Sequence, residues 1–301
     1  MSSRQFTPSG GTGEIVTLDD INEYDDLPPL AEIDSPDVYE IRTGNLATDY
    51  FVPIKDGSTD FNVWYSLVDG QIIRAISDIA VHHWPMDEGS GSTITDNVGS
   101  EDGTLNGPSW VSNSWQGGFA LDGDGTDDYI ETGTWGSFGS NIHEPHAVLF
   151  TVETTTDERG AFFGITDDNS DLVWRCSINV FEDNVVEFQR RDDARNTAGV
   201  YSSSEINDGE KYRVVINIDG PSESDMELYL NANEDTNVQN SGTLEGGELF
   251  DFPHPIMFFA REEDSPGPAR YFDGVLDNII VTNDSLSEAE IEKDYEQQPW
   301  S

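Results

Sequence analysis

The chain has a single cysteine, Cys176, in 301 residues. An intrachain disulfide is thereby excluded, and no cysteine cluster exists for zinc. Lysine is nearly as scarce. Lys55, Lys211 and Lys293 stand beside eleven arginines and sixty acidic residues, for a formal net charge of −46. A surface so short of cations repels a phosphate backbone, which excludes nucleic acid as a partner. No apolar run approaches the ~18 residues of a membrane span. The opening MSSRQFTPSGGTGE lacks an apolar stretch and does not read as a secretory signal. Hydrophobic residues make up 35% of the chain, against a usual ~45–50%.

What is present decides between an acidic disordered chain and an acidic folded one. Seven Trp, ten Tyr and fifteen Phe are spread through strand-like runs, whereas disordered acidic chains are poor in aromatics. A folded surface rich in short carboxylates and poor in lysine suits multimolar salt. There the Debye length falls to ~3 Å and self-repulsion is screened. The composition therefore reads as halophilic; the alternative is an acidic surface of ordinary origin.

Residues 1–17 are polar and Gly-rich and read as an arm. Residues 18–80 read as a small β module, with strands expected at Asp37–Arg42, Asp49–Ile54, Phe61–Ser66 and Gln71–Arg74 between Gly-containing turns. So short a unit has a marginal core by itself, so it is expected to associate with further copies. From about Val81 the texture changes to many short strands between Gly/Asp/Asn/Ser turns, with almost no helical period. That pattern predicts an all-β fold, an antiparallel two-sheet jelly-roll sandwich over residues 81–298. One helix is expected at 286–297. Ser287 is its candidate N-cap, with Glu290 completing a capping box.

Chemistry has few footholds. A retaining glycosidase needs two carboxylates ~5–5.5 Å apart. The string nearest to a glucanase Glu-x-Asp-x-(x)-Glu strand, Glu32–Asp37, contains Pro36 and lies outside the sandwich. No nucleophile-elbow string is present, and the chain reads as no enzyme. His82 and His83 offer either a metal pair or a packing role. For binding, Arg190, Arg191 and Arg195 fall within six residues of a chain that otherwise avoids cations. Following a strand, they are placed on an edge loop. They either grip an acidic sugar or a neighbouring subunit, or pair internally with Asp192 and Asp193. Trp110, Trp115 and Trp135, in Gly/Ser/Asn loops, are candidates to stack on sugar rings, whereas Trp174, inside an alternating strand, reads as core.

Three strings occur in an order that resembles the laminin-G-like, concanavalin A-like lectin jelly roll. They are His83-Trp-Pro-Met-Asp-Glu-Gly-Ser-Gly91 with Asp96–Leu105, then Gly118–Glu131, then Phe272–Val281 leading into Leu286–Ile291. The resemblance implies a structural calcium near the opening and closing strands. The residues able to hold it are Asp87, Glu88, Asp122, Asp127, Asp273 and Asp277. The Asp/Gly string 122–128 lacks the acid at the twelfth position of an EF-hand loop. It reads alternatively as a hairpin turn whose Asp side chains bond their own backbone. Residues 18–80 resemble small β modules of viral tail and fibre proteins. With the halophilic composition, this implies a virion surface protein of a tailed virus of haloarchaea, a tail fibre or a capsid turret. The implied partners are its own copies, as a trimer or pentamer joined through the N-terminal module, other virion proteins, and host surface glycans. Purely architectural decoration, or a secreted haloarchaeal glycan-binding or glycan-active protein, is the alternative.

Overall fold

The computed structural model describes residues 42–43, 49–56, 59–66, 72–112, 118–134, 145–166, 172–179, 184–191, 196–220, 222–240, 255–262 and 267–296. These fall into two compact units. The first holds an antiparallel sheet of β1 (Arg42–Thr43), β2 (Asp49–Asp56), β3 (Thr59–Ser66) and β4 (Ile72–Arg74), in that order. The strands expected from Asp49 to Arg74 are thus present; residues 37–41 lie outside the described ones. The helix α1 (Glu288–Glu296) is grouped with this sheet and not with the sandwich, because it lies against β4. Its capping box is formed: Ser287 donates its backbone N–H to Glu290 Oε2 (2.8 Å), and the Glu290 N–H is directed at Ser287 Oγ (3.4 Å). Among the described residues no helix is long and apolar enough to cross a membrane.

The second unit, Ala80–Leu286, is all-β. Its nine-stranded sheet begins with β19 (Thr236–Asn240), β15 (Thr197–Glu205), β14 (Val185–Arg191), β13 (Leu172–Asn179) and β12 (Ala161–Thr166). It continues through β20 (Pro255–Phe258), β10 (Tyr129–Thr134), β7 (Gly103–Asn106) and β6 (Thr93–Ile94). The facing sheet runs β18 (Asn233–Glu234), β17 (Met226–Leu230), β16 (Lys211–Ile218), β11 (His146–Glu153), β23 (Asp273–Thr282), β9 (Ala120–Asp124) and β8 (Ser109–Val111). Its eighth strand, β5 (Ala80–Trp84), pairs with the second half of β23. A short ribbon joins β21 (Arg261–Glu262) to β22 (Pro268–Ala269). Among the described residues every ladder of this unit is antiparallel, as the alternating strands and tight turns predict.

Alternation builds the core between the sheets. Trp174, Cys176 and Ile178 on β13, Val186 and Phe188 on β14, and Ala198 and Val200 on β15 face Val148, Phe150 and Val152 on β11 and Val214, Ile216 and Ile218 on β16. Phe162 and Phe272 meet edge to face at 4.8 Å, as do Trp84 and Phe258 at 5.1 Å. Each such ring contributes about 2–3 kcal/mol by burial. Cys176 is fully buried, and burial pushes its thiol pKa well up, so it is unreactive packing.

The eight-stranded sheet is buried on its other face too. Ala147, Leu149, Val215 and Ile280 are all nearly inaccessible, which explains why β11 reads as an almost unbroken apolar run. A bulge in β23 sets two residues, Asn278 and Ile279, opposite one of β11. It turns the Asn278 carbonyl toward the fully buried Arg213, whose Nη1 donates to it at 2.7 Å.

Candidate functional site

If Trp174, Cys176 and Ile178 point into the core, then Arg175 and Ser177 point outward. The same parity places Glu187 and Gln189 of β14 and Tyr201 of β15 on that outer face. The ladder register sets Ser177 opposite Glu187 and Glu187 opposite Tyr201, while Arg175 lies opposite Gln189 and Gln189 opposite Gly199. The result is a polar cluster on the middle strands of the nine-stranded sheet. At its centre the Glu187 carboxylate is 1% exposed. It accepts from Arg175 Nη2 (2.5 Å), Arg159 Nη2 (3.0 Å), Tyr201 Oη (3.3 Å) and Ser177 Oγ (3.4 Å). Arg159 comes from the segment between β11 and β12. Its side chain retains 19% exposure and that of Arg175 17%, which leaves these two side chains partly exposed beside the buried Glu187. Burial lowers the Arg175 pKa, the Glu187 charge opposes this, and Arg159 adds to it. Burial likewise raises the Tyr201 hydroxyl, reinforced by the charge of Glu187.

A second cluster sits where β9 gives way to β10. Here Asp124, Asp127 and Asp128 bring carboxylate oxygens within 4.8 Å of one another, and the β9–β23 ladder sets Asp273 opposite Asp124. Burial raises the Asp122 pKa, with the charges of Asp273, Asp128 and Glu153 adding to the rise. Burial also raises the Asp128 pKa; the Asp124 N–H partly relieves this, and the charges of Asp124 and Asp127 add to the rise. The donors are hard oxygens of the kind calcium prefers, so the residues fit such an ion. Local turn bonds are present as well: Asp124 Oδ1 accepts the Thr126 N–H (2.8 Å) and Asp128 Oδ2 accepts the Asp124 N–H (2.9 Å). The segment is no hairpin, however, since β9 and β10 belong to different sheets.

Of the six acids expected to share an ion, Asp122, Asp127 and Asp273 are brought to this cluster, together with Asp124 and Asp128 of the same Asp/Gly string. Asp87 is engaged elsewhere, accepting the Phe119 N–H at 3.0 Å, and Glu88 accepts the Thr95 N–H at 2.8 Å. Asp277 is buried opposite Thr151, four residues and about 13 Å along β23 from Asp273.

The arginine run differs more. Arg190 and Arg191 lie within β14, not on an edge loop. Arg190 continues the inward row of Val186 and Phe188, is fully buried, and donates from Nη2 to the Gly220 carbonyl. Burial draws its pKa down to about 10 against the pull of Asp225. It is therefore spent inside the protein and is no ligand contact. Arg191 is half-buried and donates Nε–H to Thr197 Oγ1 (3.1 Å); Arg195 lies outside the described residues. Trp110 is half-buried, packs on the core, and donates its indole N–H to the Gly91 carbonyl (3.0 Å), so it is anchored. Trp115 and Trp135 lie outside the described residues. His82 and His83 form no metal pair with each other's rings: His82 Nδ1 sits 2.6 Å from Asp96 Oδ2, and His83 Nε2 sits 2.8 Å from Asn278 Oδ1.

Residues 124–292 match the family model of the Concanavalin A-like lectin/glucanases superfamily. The chain belongs to that superfamily. No curated protein sequence matches it. Among solved structures, this concanavalin A-like chain is similar to the binding domain of Paraclostridial Mosquitocidal Protein 1. The TM-score is 0.57 at 15% identity, over 73% of this chain and 52% of that one. It is also similar to the botulinum neurotoxin serotype D binding domain, with TM-score 0.55 and 16% identity over 74% and 52%. A serotype D ligand-binding domain solved in complex with N-acetylneuraminic acid matches at TM-score 0.50 and 17% identity, over 74% and 52%. The chain thus spans about half the length of these domains, and at such identity the likeness is one of fold. The matched strands agree with the lectin-type sandwich read from the sequence.

Proposed function

We propose that this chain is a non-enzymatic, lectin-like protein that recognises carbohydrate through the outer face of β13–β15 and works in concentrated salt. The observation that carries the reading is the Glu187 cluster. On that face the buried carboxylate is held by two arginines, which suits polar recognition. A glycosidase would instead need it unencumbered beside a second acid. The superfamily supports the same reading, and one relative of like fold was solved with a sugar bound. Adhesion at a virion surface of a haloarchaeal tailed virus, with host glycans as ligand, remains the fuller form of this proposal; it rests on the acidic composition and on the texture of residues 18–80. A glycan array probed with the full chain in molar KCl tests the reading. Binding of a defined glycan class supports it, and no binding favours architectural decoration or another partner class. Turnover of any bound saccharide contradicts the non-enzymatic part.

Two further expectations belong to this proposal. Calcium, held by Asp124, Asp127 and Asp128 with Asp122 and Asp273 beside them, would neutralise the charges that add to the raised pKa values of Asp122 and Asp128. Saturating calcium is expected to raise the melting midpoint by about 5–10 °C over a chelator-treated sample, and Asp124→Asn to remove most of that rise. An unchanged midpoint contradicts the ion. The full chain is also expected to assemble as a closed trimer or pentamer through residues 18–80. Light scattering in molar salt that returns a monomer contradicts the assembly.

A further inference from the structure

We propose that Asn283 is an N-glycosylation site, whose side-chain amide takes an oligosaccharide from a lipid-phosphate carrier. This is independent of the glycan-binding proposal: there the chain recognises a sugar, and here it carries one. The first argument is the sequence. Asn283-Asp284-Ser285 is the only Asn-x-Ser/Thr string in the 301 residues. The transferring enzymes require a hydroxyl two residues beyond the asparagine, and they act on surface segments.

The second argument is placement. Asn283 is the first residue past β23, lies in a bend and is exposed. The backbone is anchored on both sides of it. Before it, the fully buried Thr282 accepts the Ala147 N–H at Oγ1 (2.8 Å) and donates that hydroxyl to the Asp284 carbonyl (2.7 Å). After it, Asn217 holds the backbone of Leu286, accepting its N–H (2.7 Å) and donating Nδ2 to its carbonyl (2.9 Å). A bulky group at the exposed position therefore displaces no core contact. It also stays clear of both clusters described above. Asp273 stands at the opposite end of β23, about 30 Å away, and Glu187 belongs to the other sheet.

The third argument is what the amide does. Other asparagines of the sandwich spend theirs on the fold. Asn231 Oδ1 accepts the Arg213 N–H (2.8 Å), Asn207 Nδ2 donates to Asp157 Oδ1 (2.8 Å), and Asn217 holds Leu286. Asn283 makes no such bond among the described residues, so its amide can be modified without cost to the structure. In the transfer, Asn283 Nδ2 bonds to the anomeric carbon of the carrier-linked sugar as the bond from that carbon to the phosphate oxygen breaks. The lipid phosphate leaves with the electron pair, and a proton from Nδ2 passes to a base of the transferase.

The test is peptide mass spectrometry on the full chain recovered from the cells that naturally produce it, beside the same chain made in a host without N-glycosylation. The expected result is an oligosaccharide mass on the peptide containing Asn283, in the native protein alone. Fragmentation should leave the first sugar on that residue. Asn283→Gln and Ser285→Ala, expressed in the natural host, are each expected to lose the mass, and Ser285→Thr to keep it. Asn283→Gln is expected to melt with the unglycosylated wild type, and it decides the matter if Ser285→Ala proves unfolded. The Asn283 peptide at its bare sequence mass in the native protein overturns the proposal. A glycan that persists in Asn283→Gln overturns it as well, and neither outcome alters the reading of the glycan array.

Discussion

Replacing Asp96 with asparagine is expected to destabilise the sandwich by about 3–5 kcal/mol at neutral pH. The carboxylate is buried in the segment between β6 and β7. Its Oδ1 accepts the N–H groups of His83 (3.0 Å), Gly99 (2.9 Å) and Val98 (3.2 Å). Its Oδ2 accepts the Glu101 N–H (3.2 Å) and faces His82 Nδ1. One side chain thus ties the segment 96–101 to β5, whose Trp84 is fully buried. An amide has one acceptor oxygen where the carboxylate has two, so at least one buried N–H is stranded. Burial by itself would raise the Asp96 pKa. The hydrogen bonds from His82 and from the backbone of His83, Gly99 and Glu101 outweigh it and hold the carboxyl well below the usual carboxylate range. A depressed folded-state pKa gives stability that is present above the unfolded value of about 3.9 and is lost as pH falls below it. Denaturant titrations in molar salt should therefore show the wild type losing stability from about pH 4 downward, and Asp96→Asn lacking that share of the loss. Gly99→Ala probes the same knot, because a β-carbon there would lie 2.3 Å from Asp96 Oδ2 and 2.6 Å from His82 Nδ1. A cost for Asp96→Asn under about 1 kcal/mol contradicts the account.

Removing Glu187 should cost as much, for a different reason. Glu187→Ala leaves Arg159 and Arg175 half-buried and facing each other without a counter-charge, and breaking such a pair costs about 3–5 kcal/mol. The expectation is strongly non-additive: Arg175→Met in the Glu187→Ala background should recover a large part of the loss, since it removes the uncompensated charge and fills volume. Urea unfolding of the two single variants and the double variant measures this coupling. Simple addition of the single effects contradicts the cluster as described.

Much of the sandwich was legible because its causes are local. Alternation marks β13 and β16, turn residues separate the strands, and Ser287 with Glu290 signals the start of α1. The same alternation predicts Trp174 in the core, where it is 1% exposed and stacked on His146 at 4.7 Å. Period-two parity carried into Val185–Arg191 would also have separated Glu187, Gln189 and Arg191 from Val186, Phe188 and Arg190. Grouped by charge instead, the string loses that distinction and points Arg190 to the surface. The encounter of Arg175 with Glu187 depends on the β13–β14 register, which one strand's pattern does not reveal. Arg159 enters from outside those strands altogether. Asp124, Asp127 and Asp128 come from one short Asp/Gly string, whereas Asp273 joins them only because β9 pairs with β23, about 150 residues later in the chain.

A crystal structure grown from molar salt with the strongest array glycan tests the central claim most directly. The account predicts the sugar lying against the outer face of β13–β15, in contact with the partly exposed side chains of Arg159 and Arg175. A sugar seated on the loops at the sandwich rim, or on the eight-stranded sheet with the Glu187 cluster untouched, would contradict it.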